Sequence, residues 1–138
     1  METGRHERIS PDTIAAPATA EGEGAISVIR VSGPRALEFL SSLFHPVHPP
    51  SAPLESFRLY PGWLVDGKKQ IDQVMGVVMR APKSYTGEDM AEIHCHGGRA
   101  VTASVIEALL KRGARLAEPG EFTRRAFLNG KMDLTRAE

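Results

Sequence analysis

The sequence predicts an α+β domain in which helices pack on a mixed or antiparallel sheet. Three observations carry that expectation. Apolar residues recur with period two in several short runs, two other segments place them at helical spacing, and an Asp-Gly pair joins two of the strand runs as a hairpin. The resulting order, β, β, α, β, β, β, α, β, mixes a hairpin with helical crossovers.

Residues 1–11 read as a polar lead-in, and residues 13–16 as a short apolar piece ahead of a Gly/Glu loop. Residues 26–31 follow as a mostly apolar strand with one cation, Arg30, near its end. Gly33-Pro34 ends that strand, and proline suits the first turn of a helix. Ala36, Leu37, Leu40, Leu43 and Phe44 then mark one helical face. Residues 45–53, HPVHPPSAP, are dense enough in proline to prevent helix or ladder formation, so a semi-stiff loop is expected. Two antiparallel strands, at about 57–65 and on to about residue 80, flank Asp66-Gly67. A turn-rich segment, APKSYTGED, leads to the strand MAEIHCH. Val101, Val105, Ala108 and Leu109 define the second helix, with Lys111 and Arg112 in its last turn and Gly113 as its stop. A short strand in ARLAEP and the segment GEFTRRAFLNGKM complete the domain. After Asp133 a helix is expected to begin just as the sequence ends, so the chain reads as a fragment: a lead-in (1–11), one domain (12–125), and the start of a helical domain (126–138).

The 138 residues are enough for one domain with a core, and 41% hydrophobic with 25% charged residues is an ordinary globular composition. Lys+Arg and Asp+Glu each number 17, so net charge advertises no nucleic-acid or membrane partner. A single cysteine excludes an internal disulfide framework and fits a reducing compartment. The segment METGRHERISPD lacks an apolar core, and no apolar run approaches the roughly 20 residues needed to cross a bilayer. A cytoplasmic location is the expectation.

The stretch MAEIHCHGG concentrates the chemistry. On a strand, Ala91, Ile93 and Cys95 share one face, while Glu92, His94 and His96 share the other. Cys95 therefore reads as a small core residue, with a nucleophilic thiol as the alternative. The second face allows three readings. His94 and His96, with Glu92, can converge on a metal. They can be a solvated polar face. Or Glu92 can hold the planar N–H edge of a ligand such as a pterin or guanine, with Gly97 and Gly98 letting backbone approach it at a helix start. Residue chemistry alone leaves these open.

Four blocks, DTIAA, ISVIRVSGP, SYTGEDMAEIHCHGG and PGEFTRRAFLNGKMDLTRAE, occur in this order. Together they resemble the N-terminal region of the MnmE (TrmE) family of tRNA-modification GTPases, over about residues 12–138. The resemblance implies a folate-binding and homodimerising domain with a fold like that of folate-dependent aminomethyltransferases. In such proteins it accompanies a helical domain and a GTPase domain using GTP, magnesium and potassium. It implies a flavoprotein partner, MnmG (GidA), and an aminomethyl-type group installed on the wobble uridine of tRNA. The one-carbon unit comes from a tetrahydrofolate derivative such as 5-formyltetrahydrofolate. Three positions carry over as folate contacts: Arg30 of the IRVSG strand, Glu92 of the EDMAEIHCHGG block and Lys131 of FLNGKMDL. A carboxylate suits the two-donor edge of a pterin, and cations suit its carbonyl and glutamate oxygens.

Without the resemblance each of these residues has a plainer reading. Arg30 pairs with Glu38 or another surface acid, Lys131 is solvated beside an Asn129-Gly130 turn, and Arg124, Arg125 and Lys131 form a solvated face. The same basic cluster also suits a tRNA-contacting patch or packing against a helical domain. Where relatives typically carry a Pro-Pro-Gly-Arg-Gly-Gly type loop, this chain has AEGEGA, and Glu21 and Glu23 would repel an anionic folate tail. A dimerising, partner-docking module that has lost folate binding is therefore the alternative function. The sequence has no GxxxxGK[ST] loop, which excludes P-loop GTP binding by these residues.

Overall fold

The alternating runs build one seven-stranded mixed sheet with three helices in a computed structural model that describes residues 12–18 and 26–131. The Glu21–Glu23 loop and the helix expected after Asp133 lie outside the described residues. The strands are β1 (Ile14–Pro17), β2 (Ile26–Ser32), β3 (Phe44–Pro46), β4 (Tyr60–Asp66), β5 (Lys69–Met79), β6 (Met90–His96) and β7 (Arg115–Leu116). The helices are α1 (Ala36–Leu43), α2 (Arg99–Lys111) and α3 (Glu121–Leu128). Across the sheet the order is β3-β4-β5-β6-β2-β1-β7, with only the β1–β7 pair parallel. This is the α+β class that the patterning predicts.

Register places the side chains. Arg30 lies opposite Glu92 and Val28 opposite His94 across β2 and β6. On the other side of β6, Val77 faces Glu92 and Met75 faces His94. One sheet face carries Ile29, Val31, Ala91, Ile93 and Cys95 into a core shared with Phe39, Leu40 and Leu43 of α1 and Val105, Ala108 and Leu109 of α2. Fully burying side chains of this size gives roughly 1.5–3 kcal/mol each before conformational entropy is charged against it. Among the described residues the opposite face is covered at one end, where Val77, Met79 and Met90 pack with Phe122 of α3.

The strand-to-helix turn at Gly33 shows why that glycine is needed. Its φ is +140°, and a Cβ there would lie 2.6 Å from the Thr13 Cα. The same close approach lets the Thr13 hydroxyl accept from the Arg35 N–H at 2.9 Å, satisfying a donor at the start of α1. Gly113, at φ +115°, ends α2 as expected.

Two expectations need correction. The proline-rich connector does enter the ladder: Phe44–Pro46 forms β3 against β4. This is possible because β3 is an edge strand, where a proline without an N–H costs no ladder partner on its outer side. The hairpin turn is Gly67-Lys68, with Asp66 paired to Lys69, so Asp66 closes the strand instead of forming the turn. Gly67 supplies the positive φ, +64°.

Candidate functional site

Period-two geometry sends Glu92 and His94 to the sheet face away from α1 and α2, and antiparallel pairing sets Arg30 beside them. Both Arg30 contacts fall on one carboxylate oxygen: Nε donates to Glu92 Oε2 at 3.1 Å, and a terminal nitrogen lies 3.0 Å from the same atom. His94 Nε2 lies 2.9 Å from Oε1. The three side chains are 30%, 17% and 27% exposed for Arg30, Glu92 and His94, so the carboxylate is sheltered yet reachable. The acid that Arg30 meets is Glu92, not Glu38, which pairs with Arg35 at 2.8 Å.

Aromatic rings flank the guanidinium. The Tyr85 and Phe122 ring centres lie 5.7 and 5.9 Å from the Arg30 Cζ, within cation–π range. Tyr85 reaches this position from the 80–89 loop and is tied to α3 by a 2.8 Å hydrogen bond between its hydroxyl and that of Thr123. Lys131 follows α3 and is exposed, and its N–H donates to the Ala126 carbonyl at 2.8 Å. Its aliphatic stem lies against Gly87, where a Cβ would stand 3.2 Å from the Lys131 Cγ. Thus Arg30 and Glu92 touch directly, whereas Lys131 is carried to the neighbouring loop and has no ion-pair partner among the described residues.

Beneath α3 lies a buried ionic network. Arg125, 2% exposed, donates to the Asp12 carbonyl at 2.8 Å and to Glu88 at 3.1 Å, and lies 3.4 Å from Glu121. Arg115 grips Glu121 at 2.8 Å, and the Glu118 N–H donates to Glu121 at 2.8 Å. Burial opposes ionisation of Glu121, but these hydrogen bonds and the two guanidinium charges outweigh it and hold its carboxyl at about 2. Ser32 adds a 2.8 Å bond to Glu88, so β2, the 80–89 loop and α3 are locked together. The solvated reading of the basic cluster therefore fails at Arg125, while Arg124 is exposed and lies 3.7 Å from both Glu118 and Glu121.

The two histidines turn to different acids. His96 Nδ1 lies 2.9 Å from Asp72, whereas His94 faces Glu92. Among the described residues no group of three or more His, Cys, Asp and Glu side chains is arranged to hold a metal ion. Cys95 is 2% exposed, and burial, with the charge of Asp72 behind it, pushes its thiol up to about 11, so the nucleophile reading has no support.

Beyond His94 the same face opens into a groove of about 430 Å³, lined among others by Ile26, Leu59, Pro61, Gln73, Met75 and His94. Ile26 is 61% exposed and Leu59 50%, and Trp63 on the same side of β4 is 37% exposed. Arithmetic on β6 makes Glu92 and His94 neighbours in the sequence itself. No sequence signal marks Tyr85 and Phe122 as the rings around Arg30, because three separate elements bring them there. The arrangement can bind an edge of N–H donors and an adjacent carbonyl.

Among the described residues no helix is long and apolar enough to cross a membrane. The family model described as "GTP-binding protein TrmE N-terminus" matches residues 13–131. A tRNA modification GTPase MnmE of Nitratidesulfovibrio vulgaris (strain DP4) is 54% identical over 127 residues, covering 92% of this chain and 28% of the relative. Its counterpart in Carboxydothermus hydrogenoformans is also 54% identical, over 130 residues, with 92% and 28% covered. That of Chlorobium phaeobacteroides is 49% identical over 141 residues, covering all of this chain and 30% of the relative. The chain thus spans less than a third of the length of the curated relatives it matches. It belongs, on the match across nearly all its described residues, to the family of the TrmE N-terminus.

Proposed function

We propose that this chain is the folate-binding and homodimerising part of a tRNA-modification GTPase. In the whole assembly a flavoprotein partner of the MnmG type takes part, and the wobble uridine of tRNA receives an aminomethyl-type group. The bound tetrahydrofolate supplies the one-carbon unit. GTP, magnesium and potassium belong to a GTPase domain outside these residues, and residues 126–138 begin a helical domain. Activity is cytoplasmic.

The observation that carries the folate reading is the Glu92 carboxylate, sheltered on an open sheet face between Arg30 and His94, the second of which lines the groove. The donor set fits. A carboxylate offers about four acceptor directions; two Arg30 nitrogens crowd Oε2 and His94 takes one direction on Oε1, so the open direction lies on Oε1. That direction suits one N–H of a pterin edge, and the second N–H shares Oε2 with Arg30. Arg30, within cation–π reach of two rings, supplies positive charge for a carbonyl, and Lys131 supplies a second cation from the adjoining loop. The exposed Ile26, Leu59 and Trp63 support a face that a second copy covers.

Calorimetry with 5-formyltetrahydrofolate tests this. Binding by the chain and its loss in Glu92→Ala are expected. Absence of heat from the unaltered chain at high ligand concentration would overturn the folate assignment in favour of a docking module. Sedimentation showing only monomer at tens of micromolar, where typical specific interfaces persist, would overturn dimerisation.

A further inference from the structure

We propose that His94 is the positioning residue for the Glu92 carboxylate, a role that deepens the reading of Glu92 as the ligand-holding group. The geometry of the two oxygens is unequal. Arg30 gives both its contacts, 3.1 and 3.0 Å, to Oε2 alone. Among the described residues only His94, at 2.9 Å, holds Oε1. A guanidinium gripping one oxygen restrains the carboxylate through that atom alone, and because the terminal glutamate torsion is broad the second oxygen is only loosely held. A second donor on the other oxygen removes that freedom and sets the carboxylate plane. A ligand edge with two parallel N–H groups requires that plane, since both bonds must be straight at once.

The chemistry of the contact defines the state of the ring. An ionised carboxylate only accepts, so the proton must sit on Nε2 of His94 whether the imidazole is neutral or charged. The surroundings support a ring held for this purpose. Val28 and Met75 lie opposite it on the two neighbouring strands, so Glu92, with Arg30 beyond it, is the charged group it faces. His96 cannot replace it, being turned to Asp72. His94 also lines the groove, so the residue that orients the carboxylate borders open space beside it.

Three proteins decide the matter: the unaltered chain, His94→Leu and His94→Gln, each titrated with 5-formyltetrahydrofolate. Gln presents an amide N–H close to the place of Nε2, while Leu presents none. His94→Leu should weaken binding about tenfold or more, and His94→Gln should stay within about threefold of the unaltered chain. Equal weakening by both, or none by Leu, overturns the proposal. Imidazole nitrogen NMR of the unaltered chain provides a ligand-free reading. An Nε2-protonated ring whose N–H exchanges slowly with water is expected, with the slowing lost in Glu92→Ala, and an Nδ1-protonated neutral ring refutes the contact. Should the unaltered chain give no heat with the folate, the folate reading falls by itself, and the Nε2–H exchange in the two proteins still decides whether His94 holds Glu92.

Discussion

Replacing Glu121 by Gln tests the idea that a buried carboxylate clamps α3 to the sheet. The side chain is 3% exposed and lies between Arg115 and Arg125, with the Glu118 N–H as a third donor. Its carboxyl is lowered from the usual 4.5 to about 2. A depression of that size corresponds to about 3 kcal/mol of folding free energy. The sign follows from linkage: a group with a depressed folded value contributes fully above its unfolded value. That contribution is then lost as pH falls from 4.5 toward about 2. Glu121→Gln should therefore be about 3 kcal/mol less stable near neutral pH. The gap should close through the acid range, while carboxylates common to both proteins cancel in the difference. Urea denaturation across a pH series reads this directly through the midpoint and slope. Any offset that survives at the acid end measures the amide N–H₂ turned toward two guanidinium groups. Parallel curves with a constant gap, or a gap below about 1 kcal/mol near neutrality, would refute the clamp.

Two further outcomes are expected. Phe57 has φ +64° and a side chain 64% exposed, so Phe57→Gly should relieve left-handed strain with little packing lost. The net gain is about 0.5–1 kcal/mol after the added flexibility of glycine in the unfolded chain, and a drop in stability by chemical denaturation would contradict it. Cys95, buried and with its thiol at about 11, should react slowly with a thiol reagent near neutral pH and quickly once urea unfolds the chain. Rapid labelling of the folded protein would show that the core placement is wrong.

Local order in the chain determined a good deal. Alternation along MAEIHCH is enough to divide Glu92, His94 and His96 from Ala91, Ile93 and Cys95, because a strand turns each successive side chain to the opposite face whatever it pairs with. Helical spacing and the stop at Gly113 located α2 for the same reason: backbone geometry is a short-range property. The motif blocks identified the family. Which partner each charged group meets was decided elsewhere. Arg30 finds Glu92 rather than Glu38 because β2 pairs with β6 in a register that nothing local encodes. Arg125 is buried rather than solvated because α3 lies over Asp12 and Glu88, which are distant in sequence. Pro46 of β3 enters a sheet because that strand falls at an edge. Side-chain direction is set by the torsions of a few residues, whereas charge pairing, burial and edge position depend on which distant segments the whole fold brings together.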